Sequence, residues 1–305
     1  MAKTSETYWS EHNVTNHRIF KTRLESLNYL AWRNRQYIYL DEYLLKRSEI
    51  QGKVILDFGC GPGNDLVWYL ERGVKKAIGI DVSKKSLEEA HQRLKLHGNN
   101  FELIHTYGTE NFRIEDRSVD VITCYGVLHH IDDLTQILSE FNRILKPDGE
   151  IRIMVYNRDS VWYHLYVAHV LAYSTQIDSR LTDKIRRSLK KRISNNSRPK
   201  LDLDVLFRTS TDGATCPISR CYSPETFVSF MSENYFTGQF LGSAISLHEL
   251  EQLRYLYSAL SNEYLNSESA EFLQALTFND KNIPVFGKRV AGINGHYKFK
   301  KIIQS

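Results

Sequence analysis

The sequence predicts an α/β fold, a mostly parallel sheet with helices on both faces, and three observations carry that expectation. Between residues 54 and 156, apolar runs of strand length alternate with stretches of helical periodicity, the order that sets parallel strands side by side with helices crossing over them. The first run, Val54-Ile55-Leu56-Asp57-Phe58, empties into the alternate glycines Gly59, Gly61 and Gly63. A continuous apolar run reads as a strand buried on both faces, and glycines let the backbone turn tightly and approach a ligand without side chains between. A second run, Ala77-Ile78-Gly79-Ile80, ends in an acid, Asp81.

The elements follow in order. Residues 1–49 read as a helical cap, aromatic-rich from residue 5, with Tyr8, Trp9, His12, Phe20, Tyr29 and Trp32. Residues 50–156 form the core. After the glycine turn a helix over 64–72 is stopped by Gly73, and Ser83 caps a second helix whose Leu87, Ala90 and Leu94 share one face until Gly98 ends it. Phe101 to Thr106 is the third strand, Val119 to Cys124 the fourth, Leu134 to Leu145 a helix, and Gly149 to Tyr156 the fifth strand. Residues 157–222 read as an insertion of helices and loops. Residues 223–305 complete the sheet with two closing antiparallel strands, at 235–246 and 292–302, separated by a helical insertion over 247–276.

What meets the glycine turn is narrowed by what the turn lacks. A dinucleotide fingerprint places a glycine at the sixth position, where this chain has Asn64, and no Gly-Lys-Ser/Thr phosphate loop occurs. The Gly-x-Gly-x-Gly turn with Asp57 before it and Asp81 after the second run resembles the class I S-adenosylmethionine-dependent methyltransferases. Ser118 to Cys124, Tyr125 to Ile131 and Arg143 to Gly149 look like that family's next motifs, in family order. The resemblance covers roughly residues 50 to 156, and the nearest subgroup is the small-molecule type resembling the ubiquinone-biosynthesis methyltransferases. It implies a Rossmann-like class I methyltransferase fold with a seven-stranded sheet, S-adenosyl-L-methionine as methyl donor and S-adenosyl-L-homocysteine as product. It also implies donor contacts at Gly59, Cys60, Gly61, Gly63 and Val82. Asp81 would accept from both ribose hydroxyls, a carboxylate being a two-oxygen acceptor matched to a vicinal diol. Asp57 would orient the loop or reach the donor through water, against an equally weighted reading as a structural strand-end hydrogen bond. Thr109 or Glu110 would meet adenine, and Tyr125 the methionine part.

The acceptor half would come from the cap and the insertion after residue 156, an acceptor-side cap. Its candidates are Tyr8 and His12 in the first, and Arg158, Tyr163 and Arg220 in the second. Arg158 and Arg220 would meet an anionic group, although a buried helix face is the more usual reading of Trp162, Tyr163, Tyr166 and Tyr173. His129 and His130 are candidates for a general base with a pKa near neutrality, against a packing role beneath the donor. A sulfonium methyl is already activated, so the chain's task is to hold a nucleophile about 3 Å from it and in line. Oxygen is the expected acceptor atom, with nitrogen or carbon open.

Composition bounds the rest. The 305 residues carry a net charge of +4, yet the stretch from Lys184 to Lys200 holds only basic charges, Arg186, Arg187, Lys190, Lys191 and Arg192 among them. That tract reads as a solvated helix face, or as a surface for an acidic partner, an anionic membrane or nucleic acid. Cys60, Cys124, Cys216 and Cys221 match neither a redox nor a zinc spacing, so packing thiols and no metal are expected. No run of 18 apolar residues occurs and the first residues lack a signal segment, so a cytoplasmic protein is expected. Three functions compete: small-molecule methyl transfer in biosynthetic or secondary metabolism, RNA or protein methylation through the basic tract, and a non-catalytic binding protein on the same fold.

Overall fold

The computed structural model describes residues 5–107, 111–172 and 202–302. The expectations placed on Thr109, Glu110 and the Lys184 to Lys200 tract lie outside the described residues. The chain opens with α1 (Ser5–Glu11), α2 (Arg23–Asn34), β1 (Tyr37–Ile38) and two single-turn helices, α3 (Leu40–Tyr43) and α4 (Arg47–Ile50). The alternating core is β2 (Val54–Phe58), α5 (Asn64–Leu70), β3 (Lys76–Asp81), α6 (Lys84–Leu94), β4 (Phe101–His105), β5 (Val119–Tyr125), α7 (Thr135–Ile144) and β6 (Leu145–Tyr156). Beyond it come helices Trp162–Leu171, Leu203–Thr211 and Pro224–Glu233, strand β7 (Phe236–Ser246), a run of short helices, the small strands β8 (Leu276–Phe278), β9 (Pro284–Phe286) and β10 (Arg289–Val290), and finally β11 (Asn294–Lys301).

The main sheet has the order β1-β7-β11-β6-β5-β2-β3-β4. Strands β2 to β6 pair in parallel, and β11 runs antiparallel between β6 and β7. The expected count of seven is corrected to eight, because β1 pairs Tyr37 and Ile38 with Ser246 and Ile245 at the sheet edge. Residues 1–49 are therefore not a purely helical cap. A strand of two residues has no period to read, so its pairing comes from tertiary contact with β7. The insertion after β7 carries its helices between Leu247 and Gln274, as expected, and beyond them β8, β9 and β10 form a separate antiparallel sheet.

Local sequence explains the core elements. Ser83 accepts a hydrogen bond from the Ser86 amide and starts α6, whose Leu87, Ala90 and Leu94 are buried on one stripe. In α7 the buried Ile137, Leu138, Phe141 and Ile144 make a similar stripe. Consecutive strand residues face opposite sides. Ile55 and Val121 pack with α5 and α6, while Leu56 and Ile122 pack with Phe141 and Phe227. Each such buried side chain stabilises the fold by about 1.5–3 kcal/mol, and together they fix the carboxyl ends of β2, β3 and β5 in one row. Among the described residues no helix is long and apolar enough to cross a membrane.

Candidate active site

A cleft of about 520 Å³ opens at those carboxyl ends, the place where open parallel sheets hold ligands. Its floor is the turn after β2. Gly59 has φ +78°, and a Cβ there would collide with the Val127 side chain, so both backbone geometry and space require glycine. The Gly59 and Cys60 amides donate to the Ile80 carbonyl at 2.8 and 3.0 Å, which folds the turn over the end of β3. Gly63, at φ +78°, is the N-cap of α5 and supports the turn from behind.

Asp81 stands at the rim with one backbone donor on each oxygen: the Gly61 amide on Oδ2 and the Ser83 amide on Oδ1, both at 2.8 Å. The carboxylate is thus held rigidly while each oxygen keeps further accepting capacity. Burial raises its pKa, and the two backbone hydrogen bonds oppose that shift. Val82, Cys60, Gly61 and Tyr125 line the same cleft. The Tyr125 hydroxyl is buried with no hydrogen-bond partner, and burial pushes its pKa up. Asp57 lies outside the cleft lining. It accepts from the Thr123 hydroxyl at 3.0 Å and ties β2 to β5, and burial together with Asp65 drives its pKa well up.

The cap closes the cleft with residues other than the two singled out from the sequence. Trp9, Asn13 and Arg33 line it. Tyr8 is buried, its hydroxyl donating to the Asp212 carbonyl and its ring stacked on His12 at 4.3 Å, while His12 itself is exposed. Arg33 reaches Asp65 at 3.3 Å and is the one arginine or lysine among the described lining residues. One arginine in an ordinary amphipathic helix gives no sequence signal, and Arg33 matters only because α2 lies beside the start of α5.

The insertion also differs from expectation. Arg158 forms two hydrogen bonds with Glu268, at 2.7 and 2.8 Å, and its guanidinium sits 4.5 Å above the ring of Tyr163. Tyr163 is buried, with its hydroxyl 3.4 Å from Asp204. Arg220 donates to the Ile131 carbonyl at 2.8 Å and pairs with Asp132. None of these three lines the cleft, so the arginines are spent on partners within the fold, and the aromatic helix is a packed face.

The histidine pair divides. His129 is fully buried against Tyr156 at 3.9 Å, and neither ring nitrogen has a hydrogen-bond partner. Burial drives its pKa well below the usual histidine range, so it stays neutral and packs. His130 lines the cleft beside Trp9, with ring centroids 4.8 Å apart. Behind it, His130, Asp212 and Cys216 each offer a ligand atom within 4.8 Å of the others. Hydrogen bonds already engage all three, and burial pushes the Cys216 thiol up to about 12.

Residues 56–153 match the family profile described as a methyltransferase domain. The ubiquinone biosynthesis O-methyltransferase of Neisseria meningitidis is 34% identical over 134 residues, covering 42% of this chain and 54% of that protein. An uncharacterized protein of Haemophilus influenzae is 36% identical over 105 residues, 33% of this chain and 41% of its own length. The chain spans about half the length of the curated relatives it matches. The crystal structure of an S-adenosylmethionine-dependent methyltransferase from Mesorhizobium loti aligns with a TM-score of 0.50 at 16% identity, over 85% of this chain and 95% of that one. At that identity the likeness is one of fold.

Proposed function

We propose that this chain, whose residues 56–153 are a class I methyltransferase domain, transfers the methyl group of S-adenosyl-L-methionine to a small-molecule acceptor and releases S-adenosyl-L-homocysteine. The observation that carries the reading is Asp81, held by two backbone amides at the rim of a cleft floored with bare backbone. The residues fit the donor. Asp81 is the diol acceptor, Val82 offers an apolar contact, and Arg33 is the cation for an amino-acid carboxylate. When bound, the donor supplies a sulfonium methyl whose leaving group is a neutral thioether.

The chain's own contribution is position and exclusion of water. Asp81 and the Gly59–Gly61 backbone would fix the nucleoside, and Arg33 the other end, so the part between them is held in the cleft without a covalent bond to the protein. Trp9, Ile137 and Ile218 give the remaining space an apolar wall, and an acceptor held there in line gains the advantage of orientation. The names of the relatives favour oxygen as the acceptor atom.

The test is equilibrium binding of S-adenosylhomocysteine. Wild type is expected to bind it and Asp81→Ala to bind it about 10- to 100-fold more weakly, as loss of a charge-assisted pair of hydrogen bonds implies. Absence of binding to wild type, or equal binding by the variant, would overturn the reading.

A further inference from the structure

We propose that His130, Asp212 and Cys216 form a binding site for one zinc ion, behind the acceptor end of the cleft and apart from the contacts assigned to the methyl donor. The proposal goes beyond the functional reading above and does not depend on it.

The three residues come from two segments that the fold presses together. His130 ends the single turn Leu128–His130 after β5, and Asp212 and Cys216 lie on the loop after helix Leu203–Thr211. The Arg220 amide donates to the His129 carbonyl at 3.1 Å and docks that loop on the turn. Within the loop the Cys216 amide donates to the Gly213 carbonyl at 3.1 Å, a bend that Gly213 permits at φ +101°. One ligand atom from each residue lies within 4.8 Å of the others. Cys216 Sγ is 4.0 Å from His130 Nδ1, and Asp212 Oδ1 is 3.7 Å from His130 Nε2. Zinc bonds of about 2.0–2.3 Å at tetrahedral angles set ligand atoms about 3.3–3.6 Å apart, so small side-chain rotations close the site. No zinc spacing marks it in the sequence, because its ligands belong to distant segments.

The surroundings are those of a metal centre. His130 Nδ1 lies 2.7 Å from the Ile218 carbonyl oxygen, which only accepts, so Nδ1 carries the hydrogen and Nε2 keeps the lone pair. A backbone carbonyl on the far nitrogen is the usual way a metal-binding histidine is oriented. Asp212 is held from several sides: Tyr156 donates to Oδ1 at 2.9 Å, Ser219 donates to Oδ2 at 2.6 Å, and Tyr8 donates to the Asp212 carbonyl. Each carboxylate oxygen still has a lone pair for a cation.

Charge and softness select the ion. The side chains of His130 and Asp212 are 6% and 7% exposed, and Cys216 is buried. Without metal the Cys216 thiol donates to the Ile218 carbonyl at 3.2 Å, and zinc displaces that proton. A thiolate, a carboxylate and a neutral imidazole around Zn²⁺ then carry no net charge, which suits a buried site. Sulfur and imidazole nitrogen favour zinc over the harder magnesium and calcium. His130 and Ile218 line the cleft, which gives the ion a route in. Once bound, it clamps the 212–219 loop to the turn after β5.

The test uses the full-length chain, stripped of metal by a chelator and titrated with zinc against a chromophoric chelator, and separately with cobalt(II). We expect one equivalent bound, with cobalt giving thiolate-to-metal absorption and the intense visible bands of a tetrahedral site, and no competition from magnesium. Cys216→Ser, close in shape to wild type, is expected to lose the thiolate band and weaken zinc more than about 100-fold, beyond the cost of losing a supporting hydrogen bond. Ser219→Ala, which only loosens Asp212, should weaken zinc about 10-fold, and Cys221→Ser should change neither readout. Zinc should also slow amide exchange over residues 212–219 in wild type and leave it unchanged in Cys216→Ser. No stoichiometric uptake, an octahedral cobalt spectrum, or a thiolate band that survives Cys216→Ser would overturn the proposal. Failure to bind S-adenosylhomocysteine would overturn the methyltransferase reading alone.

Discussion

Asp81 performs two tasks with two oxygens, holding the Gly61 turn and the start of α6 while facing the cleft. A carboxylate in that position binds a diol best when ionised, and burial raises its pKa. Affinity for S-adenosylhomocysteine is therefore expected to fall as pH is lowered, beginning above the ordinary carboxylate range, and Asp81→Asn is expected to remove that pH dependence. Calorimetric titration across the acid range checks both. Arg33 gives a separable result, because it is proposed to meet only the amino-acid end. Arg33→Met should weaken S-adenosylhomocysteine about tenfold or more, by loss of a charged hydrogen bond, while leaving 5′-methylthioadenosine binding within about twofold. Equal weakening of both ligands would remove Arg33 from that role. At this scale the sequence was legible where backbone constraint or a strand end marks a residue, as at Gly59 and Asp81. It was not legible for Arg33 or Asp212, whose meaning depends on neighbours brought in by other elements.

Among the elements, α1 is the piece whose position decides whether the cleft is closed. It rests on α6 and its cap through polar contacts: Ser10 to Ser83 at 3.0 Å and, just beyond the end of α1, Asn13 and His17 to Glu89, each at 2.6 Å. Tyr8 is its one buried residue, so it belongs to the low-stability end of the molecule. Glu89→Ala is expected to speed amide exchange over residues 5–17 several-fold and to leave exchange in β2, β3 and β5 unchanged. Hydrogen exchange with mass readout decides this, and protection unchanged over 5–17 would show that α1 is held by something else. The alternating elements from β2 to β6 were readable because each strand is an apolar run and each helix a stripe with caps. The two-residue β1 and the small sheet β8–β10 were not. Their pairing is set by register against other segments, and the apolar spacing before β8 fits helix as well as turn.

For the whole molecule, the proposed donor contacts come from the turns after β2, β3 and β5 with Arg33 brought in by α2, and the proposed acceptor side is assembled from residues 9–13, 128–137 and 212–219. That is why the glycine turn and Asp81 could be read from one stretch of sequence, whereas Arg33 and the lining at Trp9 and Ile218 could not. The same assembly buries titratable groups that bear on stability. His296 is buried with an unpartnered Nε2, stacked on Tyr43 at 4.6 Å, and burial lowers its pKa to about 3. Because the unfolded chain binds that proton near pH 6.5 and the folded chain does not, His296 makes the protein less stable as pH falls from about 6.5 toward 3. Compared with wild type, His296→Phe should lose up to about 2 kcal/mol less stability between pH 6.5 and 5, measured by urea unfolding at each pH. An identical loss in both would show that His296 is not buried as a neutral ring.

The central claim, that one cleft holds the donor with its reactive end toward Trp9 and His130, is tested most directly by a crystal structure with S-adenosylhomocysteine bound. Both ribose hydroxyls are expected within hydrogen-bond distance of Asp81, the amino-acid carboxylate at Arg33, and the sulfur facing open space beside Trp9 and His130. Ligand bound elsewhere, or with its ribose away from Asp81, would contradict it.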